Sequence, residues 1–163
     1  MKSSGRTGDE RDIEAVMAAA RVLVGVSAQS VAAIDDLVTL PQLRVLVMVA
    51  SRGPLNLGAV AAGLGVHSSN ATRLVERLVV AGLLDRRDDP ADRRNLLLDL
   101  TAAGRDLVDN VMDHRRAAIV KILERMPESR RRALASALRS FAEAGDEISD
   151  DAVWSLGWTT THG

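Results

Sequence analysis

Apolar positions recur at helical spacing along most of the chain and alternate in only one place. Over residues 12 to about 37, Ile13, Val16, Met17, Ala20, Leu23, Val24, Val31 and Ile34 form a broad stripe rich in small residues. Such a stripe predicts a helix packed on more than one side. Thr39-Leu40-Pro41-Gln42 reads as a stop and restart, with Thr39 or Leu40 as cap and Pro41 at the first helical position. The helix that follows runs to about residue 51 and stops at Arg52-Gly53-Pro54. Leu55 is a short extended piece, and Asn56 is a good cap for a helix over 57–63. After the turn Gly63-Leu64-Gly65-Val66, Ser68 is expected to cap a helix to about residue 81, closed by Gly82.

The alternation comes next. Leu84, with Leu96, Leu98 and Leu100, places one face of two short strands inward, so that the loop 88–93 projects outward. Thr101 then caps a long helix from 102 to about 125, and Pro127 breaks it and starts a last helix to about 145. Residues 1–10 read as a loose polar arm. The tail 149–163 has no periodic pattern, although Trp154 and Trp158 stand four apart in it. The expected fold is mainly α with a small β-hairpin (α+β), without internal repeat, low-complexity segment or interdomain linker.

Composition narrows the chemistry. There are no cysteines, which excludes disulfides, thiolate metal sites and thiol redox switches. His67, His114 and His162 are scattered without ligand spacing, so no metal or other cofactor is expected. No phosphate loop, nucleophile elbow or H-E-x-x-H occurs, and catalysis is not expected. The net charge of −1 argues against non-specific coating of nucleic acid; any DNA contact must come from a local patch. Asp9, Glu10, Asp12 and Glu14 spoil a signal-peptide start, and Arg21 interrupts the apolar run behind them. No uncharged run reaches the ~18 to 20 residues of a membrane span. A cytoplasmic protein with no membrane partner is therefore expected.

Two helices joined by a glycine turn have the dimensions of a helix-turn-helix. In the second, Ala71, Leu74, Val75 and Leu78 share one face, while Ser69, Asn70, Arg73, Glu76 and Arg77 share the other. A major-groove reader needs short polar groups at the helix N-terminus and longer donors one turn on, which Ser69, Asn70 and Thr72, then Arg73 and Arg77, would supply. An ordinary amphipathic surface helix explains this helix alone equally well. The hairpin favours DNA: Arg86, Arg87, Arg93 and Arg94 surround a projecting tip that could enter a minor groove. Asp85, Asp88, Asp89 and Asp92 match those arginines in number, so a solvated, charge-balanced hairpin is the competing reading. Asp92 and Arg94, two apart on one expected strand, would point the same way and hold the guanidinium in one pose.

The segments LPQLRVLVMVA, LGAVAAGLGVHSSNATRLVERLVVAGLLDRR and DPADRRNLLLDLTAAG, with the long helix after them, resemble the MarR family of bacterial transcriptional regulators. A D-x-R wing and an LT-x-x-G start, placed after a GLL-x-R strand, are more specific than a lone helix-turn-helix. The resemblance implies a winged helix-turn-helix over 39–101 inside a domain over 11–148. The flanking helices, over 11–37 and 102–148, would form a homodimer that reads a palindrome in double-stranded DNA. It assigns Ser68, Ser69, Asn70, Thr72, Arg73 and Arg77 to the recognition helix, with Asp92 and Arg94 as the wing pair. Arg86, Arg87 and Arg93 would be phosphate contacts. Val108, Val111, Met112, Ile119, Ile122, Leu123, Leu134, Ala137, Leu138 and Phe141 give the terminal helices apolar faces that a monomer would leave exposed.

The resemblance further implies a repressor released by a small, often aromatic or phenolic, molecule. Arg21, Arg44, Met48 and His67 are the candidate lining of its pocket. Each has a plainer explanation as a surface arginine, core methionine or turn histidine. The alternatives are a DNA binder of the same family without an effector, and a helical scaffold whose wing binds protein.

Overall fold

The computed structural model describes residues 4–92, 95–145 and 157–158. Arg93, Arg94, Trp154 and His162 lie outside the described residues. The elements run α1 (Ser4–Ala32), α2 (Leu40–Arg52), β1 (Leu55–Asn56), α3 (Leu57–Leu64), α4 (Ser68–Val80), β2 (Leu84–Asp88), β3 (Leu96–Leu100), α5 (Ala102–Glu124) and α6 (Glu128–Ala144). The expected α+β class and element order hold. One boundary needs correction: residues 4–10 belong to α1 rather than to a loose arm. Once the apolar segment has nucleated a helix, each added residue gains a backbone hydrogen bond, so the helix extends into the polar sequence before it.

The core centres on α2. Leu43, Val45, Leu46, Val47, Met48 and Val49 are all buried, because α3, α4, the sheet and α5 surround that helix. Its start is held by Gln42, whose Oε1 accepts from the Thr39 backbone N–H at 2.8 Å and from Thr39 Oγ1 at 3.0 Å. Asn56 caps α3 as expected, its Oδ1 accepting from the Ala59 N–H at 2.8 Å.

The hairpin is part of a three-stranded antiparallel sheet in the order β1-β3-β2. Leu55 pairs with Leu98, and Leu84 with Leu100. Of the expected inward leucines, Leu84, Leu98 and Leu100 are buried, whereas Leu96 is 50% exposed at the far end of β3. The inward face of the wing stops where the core beneath it stops.

The start of α5 is welded to this sheet. Thr101 Oγ1 donates to the Gly82 carbonyl at 2.7 Å and accepts from the Gly104 N–H at 3.0 Å. A Cβ on Gly104 would run into the Leu83 carbonyl oxygen. The threonine and glycine of LT-x-x-G are thus required by one close approach of helix to strand.

The outer helices are different. Helix α6 buries none of its residues, and Phe141 is 59% exposed. Ile13, Val16, Met17, Val22, Leu23 and Val24 of α1 are also exposed. Residues 8–32 of α1 include a window of mean hydropathy 1.5 that is long and apolar enough by length and composition to match a membrane span, with the charged Arg21 inside it.

Candidate nucleic-acid interface

Helix α4 is built to keep one face free. Ala71, Val75 and Leu78 are buried against the lobe, while Ser68, Ser69, Asn70, Arg73, Glu76 and Arg77 are exposed and Thr72 is half-buried. Its N-cap is His67, not Ser68, and the His67 side chain makes no capping bond. Ser68 is instead the first helical residue, and its carbonyl accepts from Thr72 Oγ1 at 2.8 Å. The first turn of α4 therefore presents backbone N–H groups and the Ser68, Ser69 and Asn70 side chains at one exposed end. A phosphate or base edge is a fitting partner for that end.

The wing stands beside this helix. Thr72 and Glu76 of α4, Asn56 and Gly58 at the start of α3, and Arg86, Asn95 and Leu96 of the wing line one groove. The structure thus brings Arg86 and Thr72 to the same groove. Arg87 is committed differently: its Nη2 lies 2.6 Å from Asp99 Oδ2 across the β2–β3 ladder. That bond steadies the arginine, whose side chain stays about half exposed.

The carboxylates of the wing have structural work, which the charge count alone did not reveal. Asp85 Oδ1 accepts from the Arg86 N–H at 2.8 Å, and Asp89 Oδ1 from the Ala91 N–H at 2.8 Å. Asp92 accepts from Asn95 twice, through its carbonyl at 2.9 Å and through Oδ2 at 3.3 Å. The Asp89 N–H closes the loop on the Asn95 carbonyl at 3.0 Å. Strand β3 begins at Leu96 and Asp92 lies in the loop before it, while Arg94, its expected partner, is outside the described residues. Asn95 was missed from sequence; the signal available was an Asp-x-x-Asn spacing at a hairpin tip.

The four residues proposed for an effector pocket are dispersed. Arg21 is exposed on α1, His67 is exposed before α4, Arg44 is half-buried on α2, and Met48 is completely buried in the core. None of them lines the cavities described here.

A helix with a buried and a polar face, set beside an arginine-bearing three-stranded wing, defines a winged helix-turn-helix. The model of the MarR family matches residues 38–96, from the loop before α2 to the start of β3. An HTH-type transcriptional regulator of Mycobacterium leprae, ML2140, is 31% identical over 110 residues, covering 68% of this chain and 77% of that protein. The crystal structure of RV1404 from Mycobacterium tuberculosis is 42% identical and covers 92% of this chain and 99% of its own, with a TM-score of 0.70. The transcriptional regulator Tm0710 from Thermotoga maritima is 26% identical, covers 88% and 99%, and has a TM-score of 0.72. The chain belongs to the MarR family. It is a DNA-binding transcriptional regulator, and the members of this family are regulators rather than enzymes.

Proposed function

We propose that the protein is a homodimeric, cytoplasmic repressor that reads a palindromic duplex and is released from it by a small molecule. The observation that carries the dimer is α6, a helix of 17 residues that buries none of them in the single chain. Most of a helix's stability in a protein comes from packing its apolar face against other elements. Its Leu138 and Phe141, with the exposed apolar face of α1, supply the surface for a second copy. Two copies related by a two-fold axis carry two α4 helices, and a palindrome is the DNA counterpart of that symmetry.

Ser69, Asn70, Arg73 and Arg77 then face base edges and phosphates in the major groove, with Arg86 and the wing arginines on the flanking backbone or minor groove. The effector has a cavity to occupy where the outer helices meet the DNA-binding lobe. It measures about 410 Å³, with Ile34, Leu37, Leu83 and Leu107 as apolar walls and Asp106 and Asn110 as polar ones. That size suits a small ligand. Asp106 would repel an anion, so the site favours a neutral phenol over a carboxylate.

Sedimentation of the protein with a duplex selected from random sequences tests the reading. The expected result is two chains per duplex, with affinity falling steeply as salt rises because each neutralised phosphate releases counterion. One chain per duplex, or salt-insensitive binding, overturns it.

A further inference from the structure

Arg115 is the one charged side chain on the buried stripe of α5, and it is 1% exposed. Burial lowers its pKa to about 10. A guanidinium so placed must be held by hydrogen bonds, and its described partners come from two distant parts of the chain. Its Nε donates to Ser30 Oγ of α1 at 2.7 Å, and its Nη1 donates to the carbonyl of Gly157 at 2.6 Å. The Trp158 ring lies over the guanidinium, 4.6 Å from carbon to ring centroid. The Trp158 indole N–H donates to Ser27 Oγ of α1 at 2.9 Å.

Both serines are prepared for these roles. Ser27 Oγ donates to the Leu23 carbonyl and Ser30 Oγ to the Ser27 carbonyl, so each hydroxyl proton points into α1 and a lone pair faces the tail or the arginine. Gly157 has φ +69°, and a Cβ there would lie 3.0 Å from Leu43 Cδ2 of α2 and 3.5 Å from Arg115 Nη2. The left-handed backbone favours glycine, and a Cβ would fit only if the buried Leu43 side chain gave by a few tenths of an ångström.

We propose that Ser27, Ser30, Leu43 and Arg115 form a receptor for the chain's own Gly157–Trp158 turn, and that its occupancy sets how the outer helices are held against the DNA-binding lobe. The receptor selects an indole N–H donor, a backbone carbonyl acceptor and a residue without a side chain before the indole. Its walls come from α1, α2 and α5, so the docked turn ties two outer helices to the central helix of the lobe. The consequence for DNA rests on the function proposed above; the docking itself does not.

The test uses the full chain with Trp154→Phe, which leaves Trp158 as its only indole. Gly157→Val is introduced in that background, and Trp158→Ala serves as a second variant for exchange and DNA binding. In the parent, Trp158 should resist acrylamide quenching, and Gly157→Val should expose it. Amide exchange in the first turns of α2 should quicken about tenfold in both variants, while exchange at Ala71, Val75 and Leu78 of α4 stays at the parent rate. Affinity for a duplex selected by the parent should shift by at least about threefold.

Free quenching of Trp158 in the parent overturns the receptor. Exposure of Trp158 with unchanged exchange in α2, or with unchanged duplex affinity, overturns its coupling to the lobe. A parent that selects no duplex refutes the DNA reading alone, because quenching and exchange are measured without DNA.

Discussion

The lobe formed by α2, β1, α3, α4 and the wing satisfies itself, whereas the frame of α1, α5 and α6 does not. In the lobe, α2 buries six consecutive-range side chains, and every neighbouring element has an inward face to set against them. In the frame, α5 is packed along one stripe, α1 leaves its apolar residues from Ile13 to Val24 largely exposed, and α6 is bare. Both regions have apolar helices. What differs is whether the same chain supplies the opposing surface, so the lobe behaves as a folding unit and the frame as an assembly surface.

The comparison is broken most severely inside the lobe. Leu46→Ala, at a fully buried position, should cost about 2–5 kcal/mol in thermal or denaturant unfolding. Phe141→Ala, at an exposed position of α6, should change the unfolding of the monomeric full chain by only about 0.5 kcal/mol or less. Leu138→Glu with Phe141→Glu addresses the frame instead. This pair should convert dimers to monomers in sedimentation and weaken binding to a palindrome by about 100-fold through lost bivalency. If mass and affinity both stay at the parent values, α6 is not the assembly surface.

Smaller effects separate the parts of the DNA face. Asn70→Ala should cost about 1–3 kcal/mol on the selected duplex and alter its sequence preference. Equal weakening on every duplex would make Asn70 a backbone contact instead of a base reader. Arg86→Ala should weaken all sequences alike and lower the salt slope by about 1, as expected of one phosphate contact. Smallest is Asp99→Ala, which releases Arg87 from a partly exposed ion pair and should change stability by roughly 1 kcal/mol or less.

The lobe was legible because its signals are local. Glycine and proline mark its turns, Asn56 and Thr101 cap helices where expected, and the 3.6-residue and alternating patterns change at the hairpin. The polar face of α4 could likewise be read from residue spacing. Legibility failed where partners are distant or unequal. Leu96 keeps the alternating pattern but has no core beneath it. Ser68 has the chemistry of a cap yet lies one residue inside the helix. Arg115 could have been noticed as a charge four residues after buried Val111, but nothing local linked it to the tail.

The sequence by itself determined the class of fold, the order of elements and the exposed polar face of α4, because helix periodicity, capping and turn chemistry act within a few residues. Only the tertiary structure decided that the wing carboxylates organise a loop, that β1 joins the hairpin as a third strand, and that Gly157 and Trp158 meet Arg115, Ser27 and Ser30. Those contacts span from a few residues to more than a hundred. Their energy depends on burial and hydrogen-bond geometry, which exist only once the chain has closed around them.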